Sequence, residues 1–335
     1  MQAAIYGLAG EALSADEEAF FREADPAGYI LFRRNCVDRE QLKALTDALR
    51  AIHGRDGLPI LIDQEGGRVA RLRPPEWPEF PSAERFALLY DAAPVSGIEA
   101  ARANAQAIAT VIRDVGINVD CLPLLDVRQA GANDIIGDRA LGSEPMQVAA
   151  LGRAVLEGLR DGGVVGVVKH MPGHGRSMSD SHVELPVVRA SIEELEQDIE
   201  PFRTLSNAPM GMTAHVVYTA WDPDRPASLS PMVINEIIRG RIGFDGFLMT
   251  DDLGMHALSG DFGTRARCAI DAGCDIALHC SGAMEEMVAV ASAVGALSDQ
   301  GTARLERAMA TIADARPAIS YAEAAAKRDS LLACA

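Results

Sequence analysis

Apolar residues recur along this chain in two alternating rhythms. Short, nearly continuous apolar runs occur at 3–8 (AAIYGL), 28–32 (GYILF), 58–63 (LPILID), 117–127 (INVDCLPLLDV), 164–170 (VVGVVKH), 210–218 (MGMTAHVVY), 246–252 (GFLMTDD) and 274–280 (CDIALHC). Between them, REQLKALTDALRAI, EAARANAQAIATVIRDV, MQVAALGRAVLEGLRD, SIEELEQDIEPFRTL and SPMVINEIIRGRI return apolar residues at three- and four-residue steps, the rhythm of amphipathic helices. SIEEL has the Ser-x-x-Glu spacing of a capping box, which predicts a helix beginning after Ser191. Strands this apolar are buried on both faces, and helices between them serve as crossovers, so the pattern predicts an α/β chain with a parallel sheet. Eight such units favour a closed (β/α)8 TIM-type barrel over an open doubly wound sheet.

Polar residues sharpen that choice, because they fall at the C-terminal ends of the strands: Asp63, Asp126, Lys169 with His170, His215, Asp251 with Asp252, and His279. In a barrel these ends converge on one mouth, where catalytic groups of barrel enzymes sit; in an open sheet they would spread along a line. No repeat, low-complexity tract or Pro/Gly/Ser-rich linker divides the chain. RLRPPEWPEFP (71–81) reads as a rigid loop after a strand. We therefore expect one catalytic barrel domain over 1–335, with the barrel itself over about 1–300 and a C-terminal helical tail over about 301–335 packed on its outside.

A formal charge of −17 at pH 7 argues against a wide surface for nucleic acid or anionic lipid, while leaving room for a small basic pocket. The N-terminal stretch has no basic leader and soon turns acidic, and no apolar run approaches a membrane span. The six cysteines, at 36, 121, 268, 274, 280 and 334, form no CxxC pair and suit buried thiols in a reducing compartment. The expectation is a cytoplasmic protein with no nucleic-acid or membrane partner.

Three of the seven histidines sit in KHMPGHGRSMSDSH (169–182), whose Pro-Gly pair forbids a helix. Asp180 and His182 flank Ser181, and in extended backbone residues two apart share a face, so the carboxylate can orient the imidazole and favour its charged form. Asp251, delivered by an apolar strand, could be a nucleophile, a metal ligand, a substrate-binding group or the cap of the next helix. Lys169 and Asp63 could grip hydroxyls, the Gly-Gly after Asp63 lets backbone turn close to a ligand, and Arg139 could clamp the same ligand through its planar fork. His174, between two glycines, reads as a loop-shaping residue.

DQEGGRVARL, IIGDRALGSEP, VVKHMPGHGRSMSDSHVELP, MTAHVVY and MTDDLGM occur in the order and spacing of glycoside hydrolase family 3, and the chain resembles its single-domain bacterial β-N-acetylhexosaminidase branch over residues 1 to about 300. Met171 stands where that family most often has an aromatic residue. The resemblance implies that Asp251 is the nucleophile and His182, supported by Asp180, the general acid/base. It implies that Asp63, Arg139, Lys169 and His170, with His215 as a neighbour, hold an N-acetylglucosamine ring, and that Asp252 serves as a cap or supporting group. It further implies a bacterial cytoplasmic enzyme of peptidoglycan recycling that removes N-acetylglucosamine from anhydro-muramyl glycans and muropeptides. The reaction would be a double displacement with retention, in which the imidazolium protonates the leaving oxygen while the carboxylate attacks C1.

Three other readings use the same barrel. A metal-dependent hydrolase could draw ligands from Lys169, His170, His215, Asp251 and His279, although the chain has no HExxH and no early HxH pair. A phosphorylase would use the same residues with phosphate as acceptor, and a sugar sensor would bind without turnover. With no Walker loop and no GxGxxG after a strand, no cofactor and no metal are expected.

Overall fold

The computed structural model describes residues 1–179, 181, 184–315 and 319–333. All eight apolar runs contain strands: β1 (Gln2–Gly7), β2 (Pro26–Leu31), β3 (Ile60–Ile62), β4 (Val119–Asp120), β5 (Val165–Met171), β6 (Met210–Thr213), β7 (Phe247–Met249) and β8 (Ala277–His279). They pair in parallel in chain order, and β8 pairs with β1. Contact between β7 and the start of β8 closes the ring, through a bridge from Met249 to Ile276 and a hydrogen bond from the Thr250 N–H to the Ile276 carbonyl at 3.2 Å. The fold is a (β/α)8 barrel.

Period-two alternation divides each strand between two environments. Ile5, Leu61, Val119, Val167, Met249 and Leu278 fill the barrel interior, whereas Ala4, Tyr6, Tyr29, Leu31, Ile60 and Ile62 belong to the larger core between barrel and helices. The helices follow the three- and four-residue rhythm: Arg39–His53, Pro94–Asp114, Pro145–Asp161 and Ile192–Thr204 occupy the expected segments. The capping box at Ser191 is formed, its hydroxyl accepting the Glu194 N–H while the Glu194 carboxylate accepts the Ser191 N–H.

Two long runs are broken. INVDCLPLLDV gives a two-residue strand because Pro123 has no N–H to donate, and the chain resumes its pairing at Leu125, whose N–H reaches the Lys169 carbonyl at 2.7 Å. MGMTAHVVY leaves the barrel after Thr213, and Val217–Tyr218 pairs instead with Val187–Val188. SPMVINEIIRGRI winds as a π-helix over Val233–Ile242.

The tail does two jobs. Helix Asp299–Ala310 covers the N-terminal end of the barrel: Arg304 reaches Asp245 at 2.8 Å and Asp275 at 2.9 Å, while Leu305 and Ala308 join the interior cluster. Helix Tyr321–Leu332 lies against Pro94–Asp114 on the outside, held by Arg328 to Asn104 at 3.1 Å and Lys327 to Glu99 at 2.7 Å. Cys36, Cys121, Cys274 and Cys280 are buried, but Cys268 is exposed, because helix Phe262–Ala272 turns it outward; Cys334 lies outside the described residues. Among the described residues no helix is long and apolar enough to cross a membrane.

Candidate active site

The interior row of the barrel ends in charge. Two residues beyond inward-facing Leu61, Val167 and Met249 stand Asp63, Lys169 and Asp251, so the same alternation that buries the apolar row carries these three groups into the mouth. They line a cavity of about 220 Å³, somewhat below the roughly 300 Å³ at which pockets for drug-sized ligands begin, and therefore on the scale of one sugar ring.

One wall is a buried ion-pair lattice. Lys169 Nζ lies 3.0 Å from Asp63 Oδ1 and 2.7 Å from Glu65 Oε1. Arg139 grips Glu65 with two parallel hydrogen bonds of 2.8 Å, and Arg71 holds Asp63 Oδ2 at 2.8 Å. Burial opposes ionisation of Asp63, but Lys169 and Arg71 outweigh it and hold the carboxyl well below the usual carboxylate range. Burial likewise works against Glu65, and Arg139 with Lys169 brings it down to about 2. The same contacts overcome burial at Lys169 and Arg139 and raise both above their ordinary values. These groups are all charged at neutral pH, and the lattice offers fixed donors and acceptors with no large net charge.

His170 forms the next side. Its Nδ1 is 2.7 Å from Asp126 Oδ2, while Asp126 Oδ1 accepts the backbone N–H groups of His170 and His174. Burial opposes ionisation of Asp126, and His170 more than compensates, bringing it to about 2. A carboxylate on Nδ1 directs the other ring nitrogen as the one available to a ligand. His174 lines the cavity too; burial, followed by the neighbouring His170, pushes its pKa down to about 4, so its ring is neutral at pH 7.

Asp251 faces this wall from β7. Burial would favour the acid form, but the nearby His170 and His215 rings, the Asp252 N–H and Lys169 reverse that and leave it below its ordinary value. Its Oδ1 accepts the Asp252 N–H at 2.9 Å, and Oδ2 has no hydrogen bond among the described residues. Such a carboxylate is ionised, and Oδ2 is the oxygen that the described residues leave unengaged. Asp252 is a supporting group, its Oδ1 accepting the N–H groups of Gly254 and Cys280.

The structure thus brings Asp63, Arg139, Lys169, His170 and Asp251 to one cavity. His215 is not in its lining: the ring is buried behind Asp252, with Nδ1 2.6 Å from Ser228 Oγ and Nε2 2.9 Å from the Asp252 carbonyl. Asp180 and His182 lie outside the described residues. Ser181, between them in sequence, lines the cavity, and its carbonyl accepts the Ala257 N–H. His279 faces away from the interior, against Phe262, with its Nε2 3.1 Å from Glu286. Among the described residues no three His, Cys, Asp or Glu side chains gather as a metal site.

Sequence reasoning did not assign roles to Glu65, Arg71 and Asp126. Glu65 and Asp63 have a spacing of two, the same relation that singles out Asp180 and His182, and Asp126 is one of the polar strand ends.

Comparison with known proteins supplies independent evidence. Residues 6–315 match the family model described as the glycosyl hydrolase family 3 N terminal domain. A β-hexosaminidase of Alkalilimnicola ehrlichii is 41% identical over 282 residues, which cover 83% of this chain and 80% of that protein. Among solved structures, NagZ from Neisseria gonorrhoeae in complex with N-trifluoroacetyl-D-glucosamine superposes with a TM-score of 0.88 at 32% identity, covering 99% of this chain and 98% of that one. A β-N-acetylhexosaminidase from Beutenbergia cavernae gives a TM-score of 0.76 at 26% identity, with coverage of 93% and 95%.

Proposed function

The chain belongs to glycosyl hydrolase family 3 and is a β-N-acetylhexosaminidase, and from that premise we propose that it removes terminal β-linked N-acetylglucosamine from peptidoglycan-derived muropeptides with retention at C1. The observation that carries the mechanism is Asp251: a half-buried, ionised carboxylate with one oxygen not engaged by the described residues, opposite a wall of fixed hydrogen-bonding charges.

Asp63, Arg139, Lys169 and His170 hold the sugar hydroxyls and present C1 to Asp251. Asp251 Oδ2 forms a bond to C1 as the bond from C1 to the leaving oxygen breaks, and His182, as imidazolium stabilised by Asp180, gives that oxygen its proton. The now neutral His182 then takes a proton from water, whose oxygen attacks C1 and releases Asp251. Histidine suits this role because its reference pKa of about 6.5 keeps a proton within reach near neutrality, where a carboxylic acid must be raised from about 4.

The binding of N-trifluoroacetyl-D-glucosamine by the gonococcal relative supports the glycone assignment. Hydrolysis rather than phosphorolysis is favoured by the wall itself: Arg68, Arg71, Arg139 and Lys169 each face a carboxylate, which leaves none of these four cations free for phosphate. The reading treats residues 1–335 as one catalytic unit working in the cytoplasm. Incubation with N-acetylglucosaminyl-anhydro-muramyl peptide, chitobiose and an aryl glycoside, with and without phosphate, tests the substrate. Cleavage of the first to free N-acetylglucosamine at phosphate-independent rates is expected; a sugar 1-phosphate product, or cleavage of chitobiose alone, contradicts the proposal.

A further inference from the structure

Behind the nucleophile stands a histidine that the chemical steps do not use. His215 is fully buried between β6 and the turn after β7, and both of its ring nitrogens are engaged. Its partners decide its protonation. A carbonyl oxygen can only accept, so the contact to the Asp252 carbonyl requires a proton on Nε2, and in the neutral ring the Ser228 hydroxyl donates to the bare Nδ1. Burial, the largest influence on the ring, outweighs the neighbouring Asp251 carboxylate, lowers its pKa and favours this neutral form.

The other end of the contact is the residue that orients Asp251. Asp252 is held at its carbonyl by His215 and at its carboxylate by the Gly254 and Cys280 amides, and its own N–H fixes Asp251 Oδ1. We propose that His215 is a positioning residue for the nucleophile: as the Nε2–H tautomer it pins Asp252, and thereby holds Asp251 with Oδ1 engaged by the Asp252 N–H and Oδ2 as the attacking oxygen. This rests on the assignment of Asp251 as nucleophile. It gives His215 a role without sugar contact, and it makes the Asp252 carbonyl the group that sets the tautomer.

A buried side chain that aligns the attacking oxygen affects the transition state more than ground-state binding, so its loss reduces kcat and leaves KM nearly unchanged. The test compares His215→Gln, whose amide can still donate to the Asp252 carbonyl, with His215→Asn, whose amide is too short to reach it. Turnover of p-nitrophenyl N-acetyl-β-D-glucosaminide should fall about 100-fold in kcat for the Asn variant with KM within about two-fold, while the Gln variant stays within about ten-fold of wild type. An unchanged kcat for the Asn variant, a change confined to KM, or equal losses in both variants overturns the proposal. Should neither variant fold, 15N NMR of the wild-type ring at pH 7 decides: protonated Nε2 with bare Nδ1 is expected, and an Nδ1–H tautomer or an imidazolium refutes it. Asp251→Ala separates the two levels. If that variant turns over, the nucleophile assignment fails; if it is inactive while His215→Asn is unimpaired, the positioning role alone fails.

Discussion

Replacing Glu65 with Gln keeps the shape of the side chain and removes its charge from the centre of the ion-pair lattice. Glu65 meets Arg139 through two 2.8 Å hydrogen bonds and Lys169 at 2.7 Å, and all three side chains are nearly sealed from water. The contacts lower the carboxyl from 4.5 to about 2. At about 1.4 kcal/mol per pH unit, that gap corresponds to roughly 3 kcal/mol of folding stability, in line with the roughly 3–5 kcal/mol lost when one partner of a buried pair is removed. Because the folded-state value is depressed, this contribution is present in full above the unfolded-state value and is lost as pH falls towards 2; by pH 3 roughly half remains. Denaturant unfolding of wild type and Glu65→Gln at pH 7 should therefore differ by about 3 kcal/mol, equivalent to a drop in Tm of about 4 °C for a chain of this length. The difference should narrow to about half by pH 3. A variant as stable as wild type at pH 7, or a deficit that stays constant with falling pH, refutes the ion-pair account.

Three further outcomes follow from the geometry. Asp126→Asn removes the charge that orients His170, so kcat/KM for the aryl glycoside should fall at least about ten-fold with the far-UV spectrum unchanged, and retained activity would remove Asp126 from the site. Gly175→Ala would drive a methyl group into the Val127 carbonyl, so the loop should be displaced at a cost of about 1–3 kcal/mol with most of the activity lost; an active, equally stable variant would show that the loop can yield there. His182→Gly should slow turnover most for poor leaving groups, and equal leaving-group sensitivity in wild type and variant would take the acid/base role from His182.

The barrel is legible in the sequence because burial on both faces leaves the strands almost purely apolar, and because the inward row of alternate residues ends in a polar group on β3, β5 and β7. Asp63, Lys169 and Asp251 are predictable for that reason. Glu65 is harder to see: a carboxylate just past a strand reads as solvent-exposed until Arg139, which lies far away in sequence, is placed against it. The position of His215 depends on the chain leaving the barrel after Thr213, which the continuous apolar run through Tyr218 conceals. Tyr321–Leu332 lies against Pro94–Asp114 on the outside, whereas the placement of Asp299–Ala310 beneath the barrel is set by Arg304 meeting Asp245 and Asp275, a pairing that apolar rhythm does not reveal.

The mechanism turns most directly on the stereochemistry at C1. Proton NMR of the first-formed sugar, recorded before mutarotation, should show the β-anomer for wild type, with no release by Asp251→Ala under the same conditions. An initial α-anomer, or sustained release by Asp251→Ala, would contradict double displacement through Asp251.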